Sequence, residues 1–219
     1  GEEELGDPLM MTDMPQAVRR LTGAIASGER VAVYGDYDVD GITSSCLLTS
    51  YLRSRGLESC ELYIPDRLEE GYGVNAGAIR ALHERGVSLI VTVDCGVTAV
   101  EEAALASSLG MDMIITDHHE CREVLPDVLA VVDPKRPDCS YPHRDLAGVG
   151  VAFKLLCAME GSSDRILDSY ADLIALGTIA DVMPLTGENR FIVKRGLSKL
   201  HEAPCPGLRA LLEQSGLGG

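Results

Sequence analysis

The chain of 219 residues is long enough for one sizeable α/β domain, and its 46% hydrophobic residues supply an ordinary packed core. Its net charge of −15, from 19 basic and 34 acidic residues, argues against a protein that coats nucleic acid with its own basic surface. A nucleic-acid enzyme is not excluded, because bound divalent cations add positive charge locally.

Neither a membrane segment nor an export signal is predicted. The apolar runs all fall short of the roughly eighteen residues that a transmembrane helix needs, and the acidic start of the chain lacks the pattern of a signal peptide. The seven cysteines are odd in number and contain no C-x-x-C pair, so they indicate reduced thiols rather than disulfides or a zinc ribbon. We therefore predict a cytoplasmic location.

Strands and helices are predicted to alternate along the chain. A lead-in segment, residues 1–30, contains a helix that starts near Met14. Strand-like runs follow at residues 30–35, 60–65, 88–94, 111–117 and 128–134, and helical periodicity occurs at 42–56, 98–110, 147–160, 164–180 and 189–202. This alternation predicts an α/β fold with a mostly parallel sheet, helices on both faces and right-handed crossovers.

The first strand is followed by an unusually acidic segment, "GDYDVDG" at residues 35–41. If the chain stays extended here, Asp36, Asp38 and Asp40 point to the same side, because side chains on a strand alternate with a period of two. A solvated turn with a helix cap needs only one aspartate. Three clustered carboxylates repel one another unless a cation lies between them, so the segment favours a metal site.

A calcium loop of the EF-hand type is the first alternative, since "DYDVDG" matches its opening residues. The twelfth position of such a loop should be a bidentate glutamate, and here it is Leu47. The segment before Asp36 is also typical of a strand and not of an entering helix. The EF-hand interpretation is therefore disfavoured.

Other candidate ligands follow other strands. Asp94 comes after the third strand, and Asp117, His118 and His119 come after the fourth. Ligands of an open parallel sheet bind outside the carboxyl ends of its strands, so these side chains are expected at one edge. Asp181 ends a hydrophobic helical run, where it is either a turn residue or a further ligand. The predicted metal ligands are Asp36, Asp38, Asp40, Asp94, His118 and Asp181.

Five carboxylates and one imidazole suit Mn²⁺ or Mg²⁺ better than structural zinc. They are more ligands than one such ion takes, so two ions with a bridging carboxylate are predicted. Two ions about 3.5–4 Å apart activate a water molecule and stabilise an in-line displacement at phosphorus. The expected reaction is hydrolysis of a phosphoester or phosphoanhydride.

The motifs resemble those of a known family. "DYDVDGITS", "VTVDCG", "TDHHE" and "GTIADVMPL" are similar, in this order, to the four motifs of the DHH phosphoesterase superfamily. The segments 64–75, 133–155 and 177–190 resemble its single-stranded-DNA exonucleases, and the resemblance extends over residues 8–219. It implies a Rossmann-like DHH domain that uses Mn²⁺ or Mg²⁺ to degrade single-stranded DNA from the 5′ end in DNA repair and recombination.

The resemblance also implies roles for single residues. Asp36 and Asp38 would hold the first metal, Asp94 would bridge, Asp40, His118 and Asp181 would hold the second, and His119 would contact the scissile phosphate or the nucleophilic water. Asp94, His118 and His119 are thus the predicted catalytic residues. Many relatives with small substrates have a histidine where this chain has Tyr34, which favours the exonuclease branch and leaves the ligands of the first metal open.

Several residues near the motifs are candidates for binding the strand, since single strands are held by stacking and by neutralised phosphates. They are Arg67, Tyr72, His143, Arg144 and Lys154. Exposed loop arginines and a lysine whose stem packs on the surface are the alternative explanation. The backbone amides of "AGVG" at 147–150 either meet a phosphate or mark close helix packing.

The sequence leaves three candidate functions. The first is the 5′ exonuclease, with single-stranded DNA as its partner and DNA-repair proteins as further partners that the sequence does not identify. The second is a phosphoesterase for short oligonucleotides, cyclic dinucleotides or pyrophosphate, and the third is a non-catalytic nucleic-acid-binding scaffold. Residues 1–219 are expected to form a single catalytic domain. The smaller second domain usual in the superfamily is not predicted after residue 185, so a truncated chain is expected.

Overall fold

The five predicted strands form one parallel sheet. The structure, a computed structural model, describes residues 5–68, 70–202 and 204–216. The strands are β1 (Val31–Tyr34), β2 (Cys60–Tyr63), β3 (Leu89–Val93), β4 (Asp112–Thr116) and β5 (Ala130–Val132). Their order in the sheet is β2-β1-β3-β4-β5, and each neighbouring pair is parallel. The predicted α/β class is confirmed.

Eight α-helices accompany the sheet in the described part of the chain. They are α1 (Met14–Ser27), α2 (Val39–Ser54), α3 (Ala76–Glu84), α4 (Val100–Ser108), α5 (Gly148–Glu160), α6 (Ser163–Ala180), α7 (Gly187–Glu202) and α8 (Pro206–Gln214). All the helices predicted individually are present. α2 begins three residues earlier than predicted, and α8 lies where no element was predicted.

Both faces of the sheet are buried, as the apolar strands predicted. In β1, Val31 and Val33 belong to the core cluster that includes residues of α1, α2, α5 and α6. Ala32 and Tyr34 point the other way, into a second cluster with residues of α3 and α4. Side chains that alternate between two helical layers explain why β1 is continuously apolar.

The acidic segment after β1 turns into a helix instead of continuing as a strand. β1 ends at Tyr34, and Asp38 is the N-cap of α2, where its Oδ1 accepts from the amide of Gly41 at 2.8 Å. A Cβ on Gly41 would lie 2.5 Å from the carbonyl oxygen of Asp36, so the chain folds back too tightly for another residue type. The expected extended arrangement is therefore wrong, and the three carboxylates have different environments.

Two helices carry the remaining candidates to the carboxyl edge of the sheet. α6 packs against α2, α5 and α7, and its C-cap is Asp181. The first turn of α5 reaches the same edge, where its amides donate to Asp40. Among the described helices, none combines the length and the apolar character needed to cross a membrane.

Candidate metal centre

His118 is the point at which acidic side chains from three separate elements meet. Its Nε2 lies 3.0 Å from Oδ1 of Asp94, 3.7 Å from Oδ2 of Asp181 and 3.8 Å from Oδ2 of Asp40. Asp94 follows β3, His118 follows β4, Asp40 lies in the first turn of α2 and Asp181 ends α6. Four of the six predicted ligands are thus brought together by the fold.

Several buried atoms of the predicted ligands lack a hydrogen-bond partner. They are both carboxylate oxygens of Asp36, Oδ1 of Asp94 and both ring nitrogens of His118. The 3.0 Å approach between His118 and Asp94 is close, but the two groups are not aligned for a hydrogen bond. Buried polar atoms without partners are costly, and oxygen and nitrogen atoms gathered in this way are ligands for a divalent cation.

Two groups of three potential ligand atoms, each within 4.8 Å of one another, occur among the described residues. One contains Asp94, His118 and His119, and the other contains Asp40, His118 and Asp181. The shared histidine makes the two groups neighbours. The donor set of carboxylates and imidazole therefore fits Mn²⁺ or Mg²⁺.

Asp36 and Asp38 stand apart from these groups. Asp36 is buried, and burial followed by repulsion from Asp38 raises its pKa. Asp38 is exposed, with one carboxylate oxygen engaged by the amide of Gly41. Their assignment to a first metal stays a prediction, because neither is among the described residues grouped around His118.

The first turn of α5 holds Asp40 in place. The amides of Gly148 and Val149 donate to the two carboxylate oxygens of Asp40 at 2.6 Å and 2.8 Å. A Cβ on Gly148 would lie 2.5 Å from the Cβ of Asp94. The glycine is therefore explained by close packing, and these two amides are engaged by a carboxylate rather than available to a phosphate.

Burial makes the ionised form of this cluster unfavourable. It raises the pKa of Asp40 to about 7, with further repulsion from Asp181 and Asp38. It also raises the pKa of Asp94, next to the charge of Asp40, and lowers the pKa of His118. The metal-free protein thus carries a cluster that favours neutral side chains.

A pH dependence of stability follows for the metal-free protein. The folded pKa of Asp40 is above its value of about 3.9 in an unfolded chain, so folded protein binds more protons and loses stability as pH rises. We expect the free energy of unfolding in EDTA to fall between about pH 4 and pH 7, by on the order of a few kcal/mol from this group. Urea unfolding at several pH values measures it.

The control for that measurement is Asp40→Asn, which should flatten the profile. Burial also raises the pKa of Asp133 to about 7, but Asp133 is present in both proteins. The difference between the two profiles therefore reports Asp40 together with its effect on the pKa of Asp94. Identical profiles would show that its ionisation does not oppose folding.

His119 is oriented by its neighbour Asp117. Its Nδ1 lies 2.7 Å from Oδ1 of Asp117, and the carboxylate also accepts from the amides of Val97 at 2.9 Å and His118 at 2.7 Å. Burial alone would raise the pKa of Asp117, but the hydrogen bonds from His119 and the amides hold it below its ordinary value. The same contact with Asp117 raises the pKa of His119. The ring is fixed with its Nε2 directed away from Asp117.

The comparisons with known proteins identify the family of the chain. Residues 30–178 match the family model described as DHH family, N-terminal domain. This chain belongs to the DHH family. The single-stranded-DNA-specific exonuclease RecJ of Bacillus subtilis is 49% identical to this DHH chain, over 96% of the chain and 26% of the relative. That of Escherichia coli is 39% identical, over 93% and 37%. The chain thus spans well under half the length of these relatives.

Solved DHH structures are also similar. A crystal structure of exonuclease RecJ bound to manganese matches with a TM-score of 0.83 and 39% identity, over 94% of this chain and 52% of the other. RecJ from Thermus thermophilus in complex with Mn²⁺ matches with a TM-score of 0.78 and 35% identity, over 94% and 30%. The resemblance to DHH exonucleases predicted from the motifs is confirmed.

Two of the predicted strand contacts touch the sequence motifs, Tyr72 at the DHH motif and Arg67 at the acidic segment. The hydroxyl of Tyr72 is 3.2 Å from Nε2 of His119, and the guanidinium of Arg67 lies 5.3 Å from the ring centre of Tyr37. Burial, followed by the charges of Asp117 and other carboxylates, raises the pKa of Tyr72, so its hydroxyl stays protonated. Both residues stay predicted contacts.

His143 and Arg144 contact other residues of the DHH domain. Nε2 of His143 lies 3.8 Å from Oε1 of Glu188, and Nη2 of Arg144 donates to the carbonyl of Lys135 at 2.6 Å. No hydrogen bond or ion pair of the described residues joins either one to the carboxylates around His118. Strand contact by these residues stays a prediction.

Lys154 does not reach the surface, which argues against its predicted contact with the strand. Its side chain is 1% exposed and pairs with Glu188, whose side chain is 0% exposed, at 2.6 Å. Its ammonium also donates to the carbonyl of Gly6 at 3.1 Å, and Glu188 accepts from Tyr141 at 2.6 Å. The sequence alone could not separate this buried ion pair from a surface lysine.

Replacing Lys154 with Met is expected to lower the free energy of unfolding by about 3–5 kcal/mol, because Glu188 is left as an unpaired buried charge. Urea unfolding measures the loss. Lys194→Met, at an exposed position of α7, is the matched control and should change little. Unchanged stability together with weaker DNA binding would restore the predicted role of Lys154.

The sequence interpretation missed a cation at the same edge of the sheet. Lys135 follows β5, its amide donates to Oδ1 of the buried Asp133 at 2.7 Å, and its Nζ lies 3.5 Å from Oε1 of Glu120. The sequence also predicts Asp117 at this edge of the sheet, but its role in orienting His119 was not predicted. The available signal was positional, since both Asp117 and Lys135 follow strands at the ligand-binding edge.

Proposed function

We propose that this chain is the catalytic DHH domain of a metal-dependent phosphodiesterase that degrades single-stranded DNA from the 5′ end. The observation that carries the proposal is the meeting of Asp40, Asp94 and Asp181 at His118, with buried ligand atoms left without partners. The proteins similar to it over nearly its whole length are named single-stranded-DNA-specific exonucleases.

Two Mn²⁺ or Mg²⁺ ions are part of the proposal. Asp40, His118 and Asp181 would hold one ion, Asp36 and Asp38 the other, and Asp94 would contact both. When bound, such ions supply a hydroxide at neutral pH and stabilise the charge that develops on the phosphate oxygens. The amides of Gly148 and Val149 keep the carboxylate of Asp40 in one orientation, so its position is set before any ligand arrives.

His119 is proposed to contact the substrate and not to coordinate a metal ion. The carboxylate of Asp117 holds the proton at Nδ1, so a protonated ring presents an N–H group at Nε2. That group can donate to an oxygen of the scissile phosphate. The side chain of His119 is 45% exposed, which leaves it accessible from solvent, whereas His118 is 6% exposed.

The same proposal includes the residues that contact the substrate, the cellular pathway and the location. Arg67 and Tyr72 would contact the strand next to His119, with His143 and Arg144 as further contacts. DNA repair and recombination are the expected pathways, and the seven cysteines, which form no disulfide in the structure, suit a reducing cytoplasm. We propose that residues 1–219 form a single catalytic domain, with DNA-repair proteins as further partners.

The test is Mn²⁺ stoichiometry by calorimetry, followed on the same sample by hydrolysis of a 5′-labelled strand of thirty nucleotides. Two bound ions and labelled mononucleotide as the first product are expected. No bound ion would overturn the mechanism and favour the scaffold function.

A phosphoesterase for short substrates is the second candidate, because a net charge of −15 repels a long polyanion. Strands of five and thirty nucleotides separate the two functions. The exonuclease should release mononucleotides from both at comparable rates. Cleavage of the short strand alone, or of a cyclic dinucleotide or pyrophosphate in preference, would favour the second candidate.

A further inference from the structure

The hydroxyl of Tyr72 contacts Nε2 of His119, the ring nitrogen that does not contact Asp117. The Tyr72 hydroxyl lies 3.2 Å from Nε2, and the two rings meet edge to face with centres 6.1 Å apart. Nδ1 on the other side lies 2.7 Å from Asp117. The phenol therefore stands where the proposed function requires a phosphate oxygen.

Tyr72 also belongs to a row of groups that leads away from His119. Tyr37 packs edge to face on Tyr72 with ring centres 6.3 Å apart, and Arg67 lies over the ring of Tyr37. Tyr72 itself is 57% exposed, which is unusual for an aromatic ring beside buried carboxylates. An exposed ring next to a phosphate-binding group is suited to stack on a nucleobase, because every base offers a flat face.

The residues on either side of Tyr72 are glycines in the left-handed region of backbone conformation. Gly71 and Gly73 both have φ of +80°, and a Cβ on either would meet no atom of the described residues within 4 Å. The segment is nevertheless anchored, because the hydroxyl of Tyr34 donates to the carbonyl of Gly73 at 3.0 Å and the amide of Asn75 donates to that hydroxyl at 3.1 Å. The backbone that follows Tyr72 is thus held in place, and the 57% exposed ring faces solvent.

We propose that the Tyr72 hydroxyl is a placeholder for a substrate phosphate oxygen on His119, and that the arriving strand displaces it and stacks its terminal base on the freed ring. A phosphate anion is a stronger hydrogen-bond acceptor than a phenol oxygen, so the exchange favours the substrate. The inference rests on the proposed function and deepens it. The Tyr72 hydroxyl would weaken strand binding by competing for His119, whereas the Tyr72 ring would strengthen it by stacking.

Two substitutions separate these contributions. Tyr72→Phe removes only the competing hydroxyl and should tighten strand binding about three- to tenfold, the range of one hydrogen bond. Tyr72→Ala removes the ring as well and should bind about fivefold or more weaker than Tyr72→Phe, the loss of one stacked base. The probe is a twelve-nucleotide strand with a 5′ phosphate and a dye at its 3′ end, measured by fluorescence anisotropy in Ca²⁺.

Tyr170→Phe, on α6, is the control and should leave the dissociation constant unchanged. Weaker or unchanged binding by Tyr72→Phe would overturn the placeholder, and binding by Tyr72→Ala as tight as that by Tyr72→Phe would overturn the stacking. In either case a parent protein that still binds and cuts the strand leaves the proposed function intact. A parent that neither binds the strand nor takes up Mn²⁺ would overturn both.

Discussion

Asp94→Ala is expected to abolish Mn²⁺ binding and hydrolysis together. Asp94 is buried, its Oδ1 lies 3.0 Å from His118, and it is the proposed ligand shared by both ions. Loss of the ions removes several kcal/mol of transition-state stabilisation, so turnover should fall by about 10³-fold or more. Calorimetry with Mn²⁺ and release of mononucleotide from a labelled strand measure the two effects.

Asp94→Asn tests the loss of the carboxylate charge more specifically than Asp94→Ala. Asp94 has a φ of +60°, a conformation that Asn adopts more readily than Ala, so the amide keeps the backbone while it removes the charge. Asp127→Ala, at an exposed position after β4, is the matched control and should keep metal and activity. Activity of the Asp94 variants within tenfold of the parent would contradict the two-metal assignment.

His119→Ala is expected to leave Mn²⁺ binding unchanged while turnover falls by about 10²- to 10⁴-fold, the usual contribution of a side chain that transfers or donates a proton. The ring is held by Asp117 and directed toward Tyr72, away from the carboxylates that meet at His118. Calorimetry and single-turnover hydrolysis on one preparation separate the two effects.

The control for His119→Ala is His83→Ala, which changes an exposed histidine in the last turn of α3. It should match the parent in both measurements. A His119 variant that loses one ion would mean that His119 is itself a metal ligand, as its place in the group with Asp94 and His118 allows.

The periodicity of the sequence predicted the sheet because parallel strands are buried on both faces and must be apolar throughout. Val31–Tyr34 and Leu89–Val93 are fully buried, and they were recognisable as short apolar runs bounded by helices. Since every parallel strand ends at the same edge, the residues after the strands could be expected to meet there. Asp94 and His118 were predicted correctly as neighbours by this argument alone.

The acidic segment shows where such reasoning fails. The spacing of Asp36, Asp38 and Asp40 was interpreted as a strand pattern, yet the Asp38 side chain caps α2 and turns the chain at Gly41. Asp40 then points toward the first turn of α5, more than a hundred residues later. A periodicity of two describes an extended chain only, and whether the chain is extended depends on contacts that the local sequence does not contain.

Lys154 and Asp117 illustrate the same limit for single side chains. Lys154 is buried as an ion pair with Glu188, which lies on another helix. Asp117 orients His119 only because the fold brings the imidazole ring next to its carboxylate. The linear order of residues is enough to specify the α/β architecture, the binding edge and the kinds of ligand, because these depend on local periodicity and composition. Which carboxylates meet, which cation is buried and which hydroxyl faces His119 depend on distances between segments that are remote in the chain, and those distances exist only once the helices have packed.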